Sequence, residues 1–133
     1  MGEYWNWQVA WTVLWKLLAV VHVTLAATFL GFAIAAMFGL VWAVMRRSKL
    51  KLLSLSASWV LEFVRSTPLL IQLIFLYLAL PKFPVFAIGV IGLGVHYSTY
   101  LAEVYRAGIE AVPKGQWEAA RALNFSPLKT WTQ

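Results

Sequence analysis

The chain holds 133 residues, 62% of them hydrophobic and 12% charged, with a mean hydropathy of +0.74 and a net charge of +6. Soluble domains carry about 45–50% apolar and about 25% charged residues, so this composition excludes one and points to the membrane. With no cysteine, a disulfide framework, thiol catalysis and a thiolate metal site are excluded as well.

Residues 1–16 carry Tyr4, Trp5, Trp7, Trp11 and Trp15, rings that favour the headgroup layer. This segment reads as an interfacial anchor, or as the first turns of the helix that follows. Residues 17–45 contain no charged side chain and are predicted as the first span, because a bilayer core takes about 20 apolar residues in a helix. A signal peptide fits poorly: Glu3 precedes the run, no base appears before Lys16, and the run is too long for an apolar signal core. Arg46, Arg47, Lys49 and Lys51 follow and are placed in the cytoplasm. Because these bases flank apolar runs, a nucleic-acid patch is excluded in favour of membrane orientation.

Residues 59–80 are predicted as the second span, with Gln72 as its one strongly polar deep residue. Glu62 and Arg65 lie three apart on one face. Thr67-Pro68 should disturb the helix, since Pro68 has no amide hydrogen and crowds the preceding turn. Pro81-Lys82-Phe83-Pro84 is a short outside turn. The third span runs from Val85 to Ala102 and on to Tyr105. It is Gly-rich at Gly89, Gly92 and Gly94, then polar from His96 to Tyr100. Its small residues allow close helix approach, and its hydroxyls can bond between helices. Nine of the eleven Lys and Arg residues then fall on one side, which places the N-terminus outside and the C-terminus in the cytoplasm. The predicted architecture is an all-α membrane protein with three transmembrane helices.

Past the third span, Val112-Pro113-Lys114-Gly115 breaks the helix and Gln116–Leu123 re-forms one. Trp117, Ala120 and Leu123 share a face, and Ala119 and Ala122 are small enough for close contact. Asn124 suits a left-handed helix end. Ser126-Pro127 reads as a new N-cap followed by Pro at the first helical position. On physical grounds this elbow is either a docking element or an ordinary amphipathic interfacial helix.

Three ordered blocks resemble one family. Glu118-Ala119-Ala120-Arg121-Ala122-Leu123 resembles the EAA loop of ABC importer permeases. Phe63-Val64-Arg65-Ser66-Thr67-Pro68-Leu69-Leu70-Ile71-Gln72 resembles the arginine-threonine-proline-leucine-leucine block of the polar amino-acid uptake permeases. Tyr100 to Ile109, with Val112 to Gln116, resembles the run that leads into their EAA loop. Leu93 to Tyr100 looks most like the ectoine and hydroxyectoine permeases. The resemblance implies a type I importer permease (MetI-like) fold in the inner membrane. Asn124 stands where that family usually has Gly. The family continues with the rest of its loop and further spans, so the chain is expected to be a C-terminally truncated permease, with residues 113–133 a partial coupling loop.

The resemblance implies a mechanism and partners. Two ATPase subunits would power a permease pair, homo- or heterodimeric, fed by a periplasmic or lipid-anchored solute-binding protein. The elbow would fit a groove on the ATPase through Gly115, Glu118, Ala119, Ala120 and Asn124. Membrane lipid is the remaining partner, and no cofactor or catalytic residue is expected. Arg65, Thr67, Pro68, Gln72, His96, Tyr100, Glu103 and Arg106 are the structural or pathway candidates. Of these, Arg65 should pair with Glu62 or helix-end carbonyls rather than a solute, and Glu103 with Arg106. Gln72 and His96 should hydrogen-bond between helices. His96 lacks the companions of a metal ligand, since His22 is distant. An enzyme is not expected, because no paired deep carboxylate or nucleophile with a base is present. The alternatives are a non-transporting membrane interaction protein and an inactive fragment.

Overall fold

The computed structural model describes residues 6–126 and 129–130. Tyr4 and Trp5 of the aromatic segment, and Pro127 of the second N-cap, lie outside the described residues. Among the described residues, five helices occur in the order α1 (Trp7–Arg46), α2 (Lys51–Ser66), α3 (Leu69–Ala79), α4 (Val85–Glu110) and α5 (Lys114–Ala122). No strand occurs among the described residues.

Helix α1 starts where the Asn6 side chain accepts from the amides of Gln8 and Val9, at 2.9 and 3.3 Å. It runs without a break through Lys16, so the aromatic segment from Trp7 onward belongs to the same helix as the first apolar run. Trp11 and Trp15 meet edge to face, 5.7 Å between centroids. At about 1.5 Å per residue, α1 is roughly 60 Å long, twice a hydrocarbon core. It must therefore tilt or carry its aromatic end out of the core. Its far end is closed by Ser54, whose hydroxyl donates to the Arg46 carbonyl at 2.8 Å.

The expected single span over 59–80 is broken. Thr67 is extended (φ −101°, ψ 128°), as a residue before proline prefers. Helices α2 and α3 meet there at 99°. Neither alone reaches about 30 Å, so the described residues hold two helices long and apolar enough to cross a bilayer, or three crossings if the bent pair counts as one.

The core lies between α1 and α4. Gly31, Ala35, Gly39 and Ala43 are the buried residues of α1, one per turn. A Cβ on Gly31 would stand 3.2 Å from Leu93 Cβ. One on Gly39 would stand 2.8 Å from Leu101 Cβ and 3.1 Å from the Ser98 carbonyl oxygen. The contacts advance in the same direction along both helices, so α1 and α4 run parallel. That pairing agrees with an intervening return through α2 and α3. At this register Val85 lies level with Val23, and the first turns of α1 project past the start of α4. Hydrocarbon tails are as apolar as leucine, so close backbone approach and dispersion hold such a pair rather than water exclusion. The buried hydroxyls of α4 do not bond between helices as expected. Ser98 donates to the Val95 carbonyl and Thr99 to the His96 carbonyl, each at 2.7 Å. Hydroxyls satisfied on their own helix let the neighbouring backbone come close.

Candidate functional site

The chemistry-bearing residues gather in two places: the α1/α4 end that leads into α5, and the α2–α3 break. At the first, Glu103 is held from two helices. One oxygen accepts from Arg46 Nη1 at 2.8 Å across the α1–α4 gap, and the other accepts from Arg106 one turn on. Arg106 also pairs with Glu110. The predicted Glu103–Arg106 pair is present; the Arg46 arm was not anticipated. This chain of charges joins the end of α1 to the last turns of α4, just before the backbone turns off at Val112-Pro113.

Glu103→Gln removes the charge that both guanidiniums share while keeping the side-chain volume. These side chains are about one-quarter to one-third exposed, between a surface pair worth about 0–1 kcal/mol and a buried one whose breaking costs about 3–5. A loss of about 1–2 kcal/mol is expected, read as a lower thermal midpoint in detergent. An unchanged midpoint would remove the network from the account of stability.

Pro113 precedes α5, where its missing amide costs nothing at a helix start. The C-terminal end of α5 closes as a Schellman turn: the Phe125 amide donates to the Ala120 carbonyl at 3.0 Å and the Asn124 amide to that of Arg121 at 2.9 Å. Asn124 has φ +54°, the one positive φ among described non-glycine residues. Asparagine tolerates this left-handed backbone better than most residues, which is the role foreseen for it. Ser126 then accepts the Lys129 amide on its hydroxyl oxygen at 3.3 Å, the geometry of an N-cap.

The two sides of α5 differ. Ala119, Ala120 and Leu123 border an apolar groove of about 490 Å³ with Ile109, Val112 and Phe125. Lys114, Glu118 and Arg121 turn instead toward Arg47 at the end of α1, while Trp117 stands between the two spaces and lines both, so it does share the face of Ala120 and Leu123. Gly115 stands in open space, with nothing within 4 Å of where a Cβ would lie. Nor does it adopt a positive φ. Within the described residues no contact requires glycine there.

At the membrane break, Pro68 leaves the Val64 carbonyl without its usual partner. The Gln72 amide supplies one, Nε2 donating to Val64 at 2.7 Å and to Thr67 at 3.0 Å. That orientation presents Oε1 to His96, whose Nδ1 lies 3.2 Å away. Nδ1 is then the donor and carries the proton, since the amide oxygen can only accept. The expected helix–helix hydrogen bonding of Gln72 and His96 is thus one bond between the two. Tyr97 and Tyr100 pack on the imidazole, with centroids at 5.4 and 5.3 Å. Arg65 bonds Glu62 at 3.2 Å, and the Thr67 hydroxyl donates to the Phe63 carbonyl at 3.0 Å. No group of residues suited to a metal occurs among those described.

Sequence reasoning paired Glu103 with Arg106 and expected helix–helix hydrogen bonds from Gln72 and from His96, without naming them as each other's partner. It missed Arg46, Arg47 and the four small residues of α1. The stripe Gly31-Ala35-Gly39-Ala43 was readable as small residues at a four-residue period. The Arg46–Glu103 pair, 57 residues apart, carried no local signal.

Residues 35–133 match the family described as "Binding-protein-dependent transport system inner membrane component". The probable amino-acid ABC transporter permease protein y4tG of Sinorhizobium fredii is 47% identical over 113 residues, 82% of this chain and 49% of that protein. The putative glutamine transport system permease protein GlnP of Rickettsia prowazekii is 40% identical over 106 residues, 76% of this chain and 49% of that protein. A solved structure, "Crystal structure of an amino acid ABC transporter with histidines", superposes with a TM-score of 0.84 at 35% identity. It covers 98% of this chain and 63% of that chain. The chain spans about half the length of these two curated relatives.

Proposed function

This chain belongs to the binding-protein-dependent transport system inner membrane component family, and from that membership we propose that it serves in the permease of an ATP-driven importer for polar amino acids. The names of the relatives support the solute class. Ectoine or hydroxyectoine is the narrower case, resting on the run Leu93–Tyr100. The chain sits in the inner membrane with residues 17–45, 59–80 and 85–105 as its three passes, residues 1–16 at the interface and residues 113–133 as the coupling segment. It works beside a second permease subunit, two ATPase subunits and a solute-binding protein, and itself carries out no bond chemistry.

The observation that carries this reading is α5. It is a short helix turned off the end of α4 and closed by a Schellman turn. Alanines 119 and 120 border one groove, and a glycine at 115 answers to nothing inside the described residues. A glycine with no internal reason suits close approach by another protein. Ala, the better helix former, would otherwise be favoured there. Gly115, Glu118, Ala119, Ala120 and Asn124 make up the ATPase contact in this reading. Gln72, His96 and Tyr100 border the solute pathway. Uptake of labelled glutamine and labelled ectoine, with and without this chain in its host, tests the function. Uptake of both that is indifferent to its deletion rejects it.

Orientation has its own test, because a chain without cysteine accepts single reporters cleanly. In intact cells Lys82→Cys is expected to react with a membrane-impermeant maleimide. Ser48→Cys should react only after the membrane is opened. The reverse pattern would invert the topology.

A further inference from the structure

The side of α5 that faces away from the alanines holds a second site. Lys114, Trp117, Glu118 and Arg121 recur at helical spacing and form one stripe. Arg47, at the C-cap of α1, joins them around a single open cavity of about 430 Å³. Three cations and one carboxylate therefore line the cavity, which leaves it net positive. Two of the cations lie two turns apart on α5 with Glu118 between them, while the fold brings Arg47 from far away in sequence. The net positive charge favours a bound anion. The helix dipoles do not decide the sign, since α5 brings its positive end at Lys114 and α1 its negative end at Arg47, so the side-chain charges carry it.

The cavity's depth narrows the choice of anion. Arg47 follows directly on the apolar helix α1, so the cavity opens where that helix leaves the hydrocarbon. Trp117, half-buried in its wall, has the apolar body and polar edge suited to the headgroup layer. The geometry points to a binding site for a phosphate-bearing anion, the phosphodiester of an anionic lipid headgroup, held by Arg47, Lys114 and Arg121. Glu118 limits its strength by repelling the same phosphate. This assignment stands on the cavity and does not depend on the transport reading; it requires only that α1 and α4 cross the bilayer.

Native mass spectrometry of the protein, extracted with whatever subunits accompany it, tests the site. The probes are phosphatidylglycerol and phosphatidylcholine offered together, and the readout is the ratio of the two retained. The unaltered protein should retain phosphatidylglycerol preferentially. Lys114→Gln and Arg121→Gln should each lower the ratio about five-fold. Both side chains are exposed, so these variants keep the fold. Glu118→Gln should raise the ratio, a gain that misfolding cannot produce. Lys49→Gln with Lys51→Gln removes two charges from the same side, twice what either cavity variant loses, but outside the cavity, and should leave the ratio nearly unchanged.

An unchanged ratio in the Lys114 and Arg121 variants overturns the site. A Lys49/Lys51 variant that loses as much overturns it too, in favour of diffuse surface charge. A soluble source is distinguished by inorganic phosphate at matched ionic strength, in phosphatidylcholine alone. If phosphate raises the thermal midpoint through Lys114 and Arg121 while no lipid preference exists, the lipid assignment falls.

Discussion

Replacing Gly39 with leucine will separate α1 from α4. A Cβ at this position would stand 2.8 Å from Leu101 Cβ, 3.1 Å from the Ser98 carbonyl oxygen and 3.2 Å from the Ala102 amide nitrogen. Two of those three neighbours are backbone, which cannot swing aside. Gly92 offers a useful contrast. Its Cβ would meet Leu73 Cδ2 at 2.4 Å, the far end of a side chain that another rotamer can move. Overpacking costs about 1–3 kcal/mol where neighbours adjust and more where they do not. Leucine at 39, with three further carbons beyond Cβ, belongs at or above the upper end. The helices can relieve the clash only by moving apart, which forfeits the dispersion along the whole Gly31-Ala35-Gly39-Ala43 stripe and stretches the Arg46–Glu103 bridge. The expected result is a collapse in the yield of monodisperse protein on size exclusion and a sharply lower thermal midpoint. Gly89→Leu is the control, because no atom lies within 4 Å of its Cβ position. Equal behaviour of the two variants would show that the α1–α4 contact does not set stability.

How much of this was visible in the sequence depends on the range of the interaction. Uninterrupted apolar runs located α1 and α4, because helix formation in a bilayer is dictated by local composition and unmet backbone hydrogen bonds. Pro68 announced a disturbance but not a 99° bend. The bend needs Gln72 to satisfy the Val64 and Thr67 carbonyls, and that requires three-dimensional knowledge of where the amide lands. Asn124 was readable, since few residues tolerate φ +54°. Ion pairs three apart were readable for the same local reason. Arg46 with Glu103, and Arg47 with Lys114 and Arg121, were not, because only the parallel register of α1 and α4 brings them together. The candidate site follows this division. Its α5 residues stood out by motif, while the α1 residues that brace it lay in a stretch read simply as a positive-inside loop.

Those braces complicate the second large effect and also make it more informative. Glu118→Lys should abolish coupling while the protein remains in the membrane. Energetic coupling between distant sites is worth about 1–3 kcal/mol, or about 5–150-fold, so uptake should fall about ten-fold or more if Glu118 is an ATPase contact. Yet Glu118 also lines the cavity with Arg47, Lys114 and Arg121. A lysine there would place four cations around one space with no carboxylate, so uptake could fall from distortion of α5 alone. Two comparisons separate the causes. Glu118→Gln removes the docking charge without adding a cation, and should still depress uptake if the contact is real. Distortion predicts that it spares uptake. ATP hydrolysis by the accompanying ATPase supplies the second. A lost contact leaves hydrolysis running without solute movement, whereas a collapsed elbow releases the ATPase from the membrane fraction. Normal uptake with Glu118→Lys, in protein shown to be present in the membrane, would defeat the docking role of this residue. It would leave the carboxylate as a charge that tempers the cavity beneath α5.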